Sequence, residues 1–186
     1  MAEAQHPIDP VQLLALAEAL ALPKPGGGAS SESTERRRAV STAYYAVFHA
    51  ISGRVAASVF PSAEQIFRQR ISRWIAHTDI RTVARWVVGQ GPGDGKGVPS
   101  HIRELLKDIE GPHIDADTVL IAEGFLELHE QREEADYDHE AVFENIDTQA
   151  HITNARQIVD LAQKSSSAQV QQFFGLIAMQ AQVRGR

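Results

Sequence analysis

From Glu35 to Ile51 the chain reads ERRRAVSTAYYAVFHAI. Val40, Ala43, Tyr44, Val47, Phe48 and Ile51, with Val55 just beyond, fall at spacings of three and four. That is the repeat of one buried face of an α-helix. Ser33 or Thr34 is the expected N-cap, and the helix is expected to end near Pro61. A core stripe does not account for the rest of the stretch. Three consecutive arginines, Arg36, Arg37 and Arg38, stand at its head, and Tyr45 and His49 form a second file beside the apolar one. Read as packing alone, Tyr44 is core, while Tyr45 and His49 lie at its boundary with their polar ends solvated or hydrogen-bonded. Read as a site, the second file is one wall of a cleft for something anionic.

Helical spacing recurs on both sides of this segment, with no alternating strand pattern and no internal repeat. Asp9 and Pro10 suit the start of a first helix with Leu13, Leu16, Ala17 and Leu20 as its apolar stripe. The Pro/Gly/Ser run LPKPGGGASSES follows, so 22–32 is read as a flexible linker. Ser62 and Gln65 resemble a capping box before Ile66, Arg70, Ile71 and Trp74. Thr78 or Asp79 is the expected cap of DIRTVARWVV, which turns Ile80, Val83, Ala84 and Val87 inward. The run GQGPGDGKGVPS holds five glycines and two prolines, so 89–99 is read as a second flexible linker. It does not match the phosphate-cradling G-x-x-x-x-G-K-[ST] pattern, because Gln90 stands at the first glycine position and Gly97 follows Lys96. Ser100 starts a short helix, and Asp115 or Asp117 caps a long one through TVLIAEGFLELHEQREEADY. Thr148 opens another, with Ile152, Ala155, Ile158, Val159 and Ala162 inward. In the last amphipathic helix, Phe173, Phe174, Leu176 and Ile177 either cover the bundle or meet a partner. The sum is one all-α, antiparallel helical bundle spanning 1–186, with its core at about 33–162 and extra N- and C-terminal helices.

Composition narrows the function. The chain has 186 residues, 43% of them hydrophobic, which suits one domain with a sizeable core. The net charge of −6 gives no general attraction to nucleic acid. Nine arginines nevertheless fall between 36 and 85, most of them readable as a solvated helix face. There is no cysteine, hence no disulfide and no thiol chemistry. The N-terminus does not read as a signal peptide, and no apolar run reaches the roughly 18 residues a membrane span needs. The expectation is a cytoplasmic protein without membrane association. HIDAD has metal-like composition but reads as a cap and a turn, so no metal and no cofactor is expected.

The second informative stretch is EQREEADYDHE. Ile121, Phe125, Leu128 and Arg132 continue one helical stripe, so an arginine arrives where an apolar residue is due. A guanidinium there needs an acidic partner such as Glu35, a ligand anion, or a place at a helix end or interface. His139 follows seven residues later, on the order of 10 Å along a continued helix, or closer if the chain turns at Asp138.

RRAVSTAYYAVFHA resembles the signature helix of HEPN-domain proteins, and REEADYD is similar to that family's second signature, an Arg followed by Ala-Asp-Tyr. The order of the two also agrees, and the resemblance covers roughly 33–162. It implies a HEPN-type bundle, usually a homodimer, whose signature helices line a cleft near the interface. Many members are metal-independent ribonucleases of toxin–antitoxin or phage-defence systems, and their Arg, four-to-six residues, His motif is met by Arg132 and His139. On that reading Arg132 and His139 are catalytic. Arg38, Tyr45, His49 and Tyr137 are substrate-binding, with Tyr45 or Tyr137 stacking an unpaired base. HTDIR resembles a stretch whose histidine, here His77, is a conformational element. The implied partners are a second copy, RNA and a small nucleotidyltransferase antitoxin. The alternative is a non-catalytic HEPN bundle that binds a nucleotidyltransferase or a nucleotide.

Overall fold

The computed structural model describes residues 8–23, 28–89, 100–106 and 114–184. Almost all of the glycine-rich stretch 89–99, and the expected continuation of the helix that starts at Ser100, lie outside them. Among the described residues there are eight helices and no strand.

Helix α1 (Pro10–Ala21) starts as its sequence dictates: the Asp9 carboxylate accepts the Val11 N–H at 2.9 Å and Pro10 fills the first position. Of the expected stripe Leu13, Leu16, Ala17 and Leu20, Ala17 is buried, together with Leu14 and Ala21, while Leu13 and Leu20 are half-buried and Leu16 is exposed. Two alanines on the buried line bring the helix close to its neighbours, and Leu13 and Leu20 flank the contact.

Helix α2 (Ala29–Val59) is the spine, 31 residues or roughly 46 Å long. It begins several residues before the expected Ser33/Thr34 cap, with Gly28 as N-cap and no side-chain cap bond. Glu32 in the first turn favours this longer helix and pairs with Arg36 at 3.0 Å, one turn on. The predicted stripe is the buried one: Val40, Ala43, Tyr44, Val47, Phe48, Ile51 and Val55 are all buried. Packed around α2 are α1, α6, α7, α8 and the short α3 (Gln65–Ser72).

Helix α3 is capped by the backbone of Glu64, not by Ser62. Helix α4 (His77–Val87) starts one residue ahead of Thr78, and Asp79 acts from the third position, where its carboxylate accepts the Ala76 N–H at 2.7 Å. Helix α5 is Ser100–Leu106 and α6 is Ala116–Tyr137. Asp115 caps α6 by accepting the Thr118 N–H at 2.7 Å, and it also accepts from the Ser167 hydroxyl. Burial would raise the Asp115 carboxyl, but the bonds from Ser167 and Thr118 outweigh it and hold it below its ordinary value. Helix α7 (Asn145–Lys164) starts three residues before Thr148, which is a buried helix residue whose hydroxyl donates to the Glu144 carbonyl at 2.8 Å. In α8 (Ala168–Arg184), Phe173, Phe174, Leu176 and Ile177 are buried and cover the bundle.

Side-chain pairs give the directions. Tyr45 meets Arg132 and Arg37 meets Ala135, so α2 and α6 run antiparallel. Glu127 meets Asn154 while Gly124 faces Ile158, so α6 and α7 do too. At Gly124 a Cβ would stand 2.5 Å from Ile158 Cδ1, so this glycine is what lets the two helices approach.

Candidate anion-binding site

The two stretches singled out in the sequence face each other. Arg132, in the last turn and a half of α6, lies beneath Tyr45 of α2. Its Nη2 donates to the Tyr45 hydroxyl at 3.3 Å, and its Cζ stands 5.9 Å from the Tyr45 ring and 5.3 Å from the Tyr137 ring. The partner expected in Glu35 is instead Asp136, one turn along the same helix, whose Oδ2 lies 2.7 Å from Arg132 Nε. That contact is an ion pair and not an aligned hydrogen bond, since Nε has no hydrogen-bond partner. Burial would lower the Arg132 pKa, but Asp136 and the Tyr45 hydroxyl outweigh it and raise it, so the guanidinium stays charged. A cation held between two aromatic rings and a phenol is stacked as well as paired, an arrangement suited to arginine and not to lysine.

Behind this pair lies an aromatic cluster that the sequence did not disclose. The Tyr44 hydroxyl meets His77 Nδ1 at 2.5 Å, and the His77 ring stacks on Phe48 with centroids 3.9 Å apart. Burial pushes the Tyr44 phenol up, so it keeps its proton. His77 is pushed down to about 4 by burial and by the neighbouring His129, Arg132 and His49. A protonated phenol beside a neutral imidazole makes Tyr44 the donor and places the His77 proton on Nε2. His129, buried on α6, meets the Tyr44 ring edge-on at 5.6 Å and is also held down, chiefly by burial. Glu133, which follows Arg132, turns toward it, with Oε2 3.8 Å from His129 Nδ1. The Tyr44 and His77 rings both touch Tyr45, at 5.5 and 5.9 Å, so this cluster fixes the side chain that covers Arg132.

The structure thus brings Tyr45, Arg132 and Tyr137 together. Arg38 and His49 share the α2 face of Tyr45, at helical offsets of seven and four residues, but neither contacts Arg132. Arg38 is exposed. His49 is half-buried against Phe48, with ring centroids 5.2 Å apart, and burial lowers its pKa. Helix α6 ends at Tyr137, and extended Asp138 leads into an exposed bend at His139. Among the described residues His139 makes no contact with Arg132.

The other two arginines are clamps. Arg37 donates through Nη1 to the carbonyls of Asp138 at 2.7 Å, Ala135 at 3.1 Å and Glu134 at 3.4 Å, and through Nη2 to that of Ala141. Arg36 donates to the Phe143 carbonyl at 3.0 Å. Together they satisfy the carbonyls at the end of α6 and fix the segment that carries His139.

Fold and site define an all-α bundle with a half-buried arginine between aromatic side chains. Comparison with protein-family models, with curated proteins and with solved structures finds no match. Among the described residues, no helix is long and apolar enough to cross a membrane, and no group of three or more His, Cys, Asp or Glu is placed to hold a metal ion.

Proposed function

We propose that the chain is a HEPN-type, metal-independent endoribonuclease, a toxin-like or phage-defence component whose composite site forms at a homodimer interface. The observation that carries this reading is the meeting of the two signature stretches at one point. Arg132 of REEADYD sits against Tyr45 of AYYAVFH, charged, half-buried and flanked by Tyr137. Such a group pairs with a phosphate, and the two rings offer faces for unpaired bases. In the reaction the RNA 2′-hydroxyl loses its proton to His139 of one copy, and its oxygen attacks the adjacent phosphorus. The 5′-oxygen leaves with a proton from His139 of the other copy, so a 2′,3′-cyclic phosphate and a 5′-hydroxyl result. Arg132 stabilises the charge that develops on the phosphoryl oxygens.

One observation favours a second reading, a non-catalytic bundle that binds a nucleotidyltransferase or a nucleotide. Asp136 already engages Arg132, and a carboxylate paired with the guanidinium weakens its pull on a polyanion. Binding of a fluorescein-labelled single-stranded RNA tests the first reading. Arg132→Ala is expected to weaken it at least about tenfold, the loss of one charge-assisted contact. Equal affinity of wild type and variant removes Arg132 from the RNA site.

A further inference from the structure

Arg81 carries a guanidinium that the fold does not explain. It stands one turn beyond His77 on α4, so the two side chains share a face of that helix. His77 fixes where the face lies: its Nδ1 meets the Tyr44 hydroxyl at 2.5 Å, and its ring stacks on Phe48. Helix α4 also packs on α6, which carries His129 and, three residues on, Arg132. Arg81 and Arg132 thus approach the Tyr44–His77–His129 cluster from two different helices. Their charges act on the same two groups. Each pulls the pKa of Tyr44 and of His129 downward, although burial still leaves the Tyr44 phenol raised. A charge reaches on the order of 10 Å before salt screens it, so both guanidinia border the cluster.

The two differ in what balances them. Arg132 has Asp136 at 2.7 Å and the Tyr45 hydroxyl at 3.3 Å. Arg81 is half-buried, and among the described residues it has no hydrogen bond and no ion pair. Glu133, a carboxylate that acts on both Tyr44 and His129, is turned to His129 Nδ1 at 3.8 Å. Withdrawing a guanidinium from water without a partner costs stability, and a second positive charge nearby adds to the cost. A local rule broken with no structural return marks a functional position. An anion beside Arg81 supplies that return.

Arg132 indicates which anion. A strand of RNA that places one phosphate at Arg132 brings others with it, and each needs its own cation to replace the counterions it sheds. We propose that Arg81 is a second phosphate-binding residue of the site and holds a phosphate adjacent to the one at Arg132 on the same single strand of RNA. This inference rests on the reading of Arg132 as an RNA contact. The surroundings of the two arginines divide the work. Arg132, set between Tyr45 and Tyr137 and paired with Asp136, fixes position. Arg81, unpaired, supplies the attraction that a chain of net charge −6 otherwise lacks.

The salt dependence of binding tests this on the full-length protein, with a fluorescein-labelled single-stranded RNA as the probe. Each phosphate contact on a single strand contributes roughly 0.7 to the slope of log K against log salt. Arg81→Gln is expected to weaken binding at least about fivefold at low salt and to reduce that slope by roughly 0.7. Arg81→Lys keeps the charge and is expected to keep the wild-type slope. Arg85→Gln removes the same charge one turn further along α4 and is expected to leave the slope unchanged. Because Arg81 holds nothing in the fold, Arg81→Gln is expected to melt at or above the wild-type temperature. A lower melting temperature assigns Arg81 to the fold and overturns the proposal. So does a wild-type slope in Arg81→Gln, or an equal fall in Arg85→Gln; weakened binding by Arg132→Ala then leaves the reading of Arg132 standing. RNA bound by none of the proteins overturns both. ADP binding that depends on Arg81, beside RNA binding that does not, also overturns the proposal.

Discussion

Removing the Arg37 guanidinium tests how the end of α6 and the segment bearing His139 are held. Of its four carbonyl contacts, the 3.4 Å one to Glu134 is long and contributes little. The contact to Asp138, at 2.7 Å, is exposed, and those to Ala135 and Ala141 are part-buried. Hydrogen bonds from a charged donor contribute about 1.5–3 kcal/mol when buried and less in water. Taking the lower end for two bonds, and a few tenths for the face of Phe143 at 5.6 Å, Arg37→Ala is expected to cost about 3 kcal/mol. A lysine at this position would be one point charge without the fork that spans four acceptors, so Arg37→Lys is expected to recover less than about half of that. Urea denaturation of the three proteins gives the energies. Limited proteolysis under native conditions gives the location, because the released carbonyls leave 138–142 open to cleavage. A loss under about 0.5 kcal/mol, the range of an ordinary surface change, with no new cut there would refute the clamp.

Gly124→Ala is expected to destabilise by about 1–2 kcal/mol in thermal or urea unfolding despite alanine's better helix propensity, because Ile158 is fully buried and must shift to admit the methyl group. A stabilised variant would show that α6 and α7 have room to separate. His49, His77 and His129 all have folded pKa values below the ordinary histidine value, with His77 at about 4. The unfolded chain therefore takes up protons first as pH falls. Their contribution is fully present above about pH 6.5 and is lost progressively toward pH 4. The melting temperature should drop between pH 7 and pH 5, less steeply for His77→Gln; parallel profiles for the two proteins would contradict the assignment.

The buried stripe of α2, the Asp9 and Asp115 caps and the all-α class were legible because they depend on local spacing and local hydrogen bonds. Helix starts were less so. Helix α2 begins at Ala29 on the strength of Glu32 and its pair with Arg36, a stronger local signal than the hydroxyls of Ser33 and Thr34. The ion pair of Arg132 with Asp136 had a signal, the four-residue spacing, that an expected partner in Glu35 passed over. The acceptors of Arg36 and Arg37 had none, since a carbonyl about a hundred residues away leaves no mark on composition or periodicity. The same holds for Tyr44 and His77, which only the packing of α4 beside α2 and α6 brings together.

The central claim is that Arg132 and His139 act together on RNA. The most direct measurement is cleavage of a defined single-stranded RNA in excess EDTA by wild type, Arg132→Ala and His139→Ala, with the product ends identified. The account predicts 2′,3′-cyclic phosphate ends from wild type and a loss of at least about a hundredfold in each variant, the scale of one general acid–base or charge-stabilising group. No cleavage by wild type, or the same cleavage by all three proteins, would contradict it.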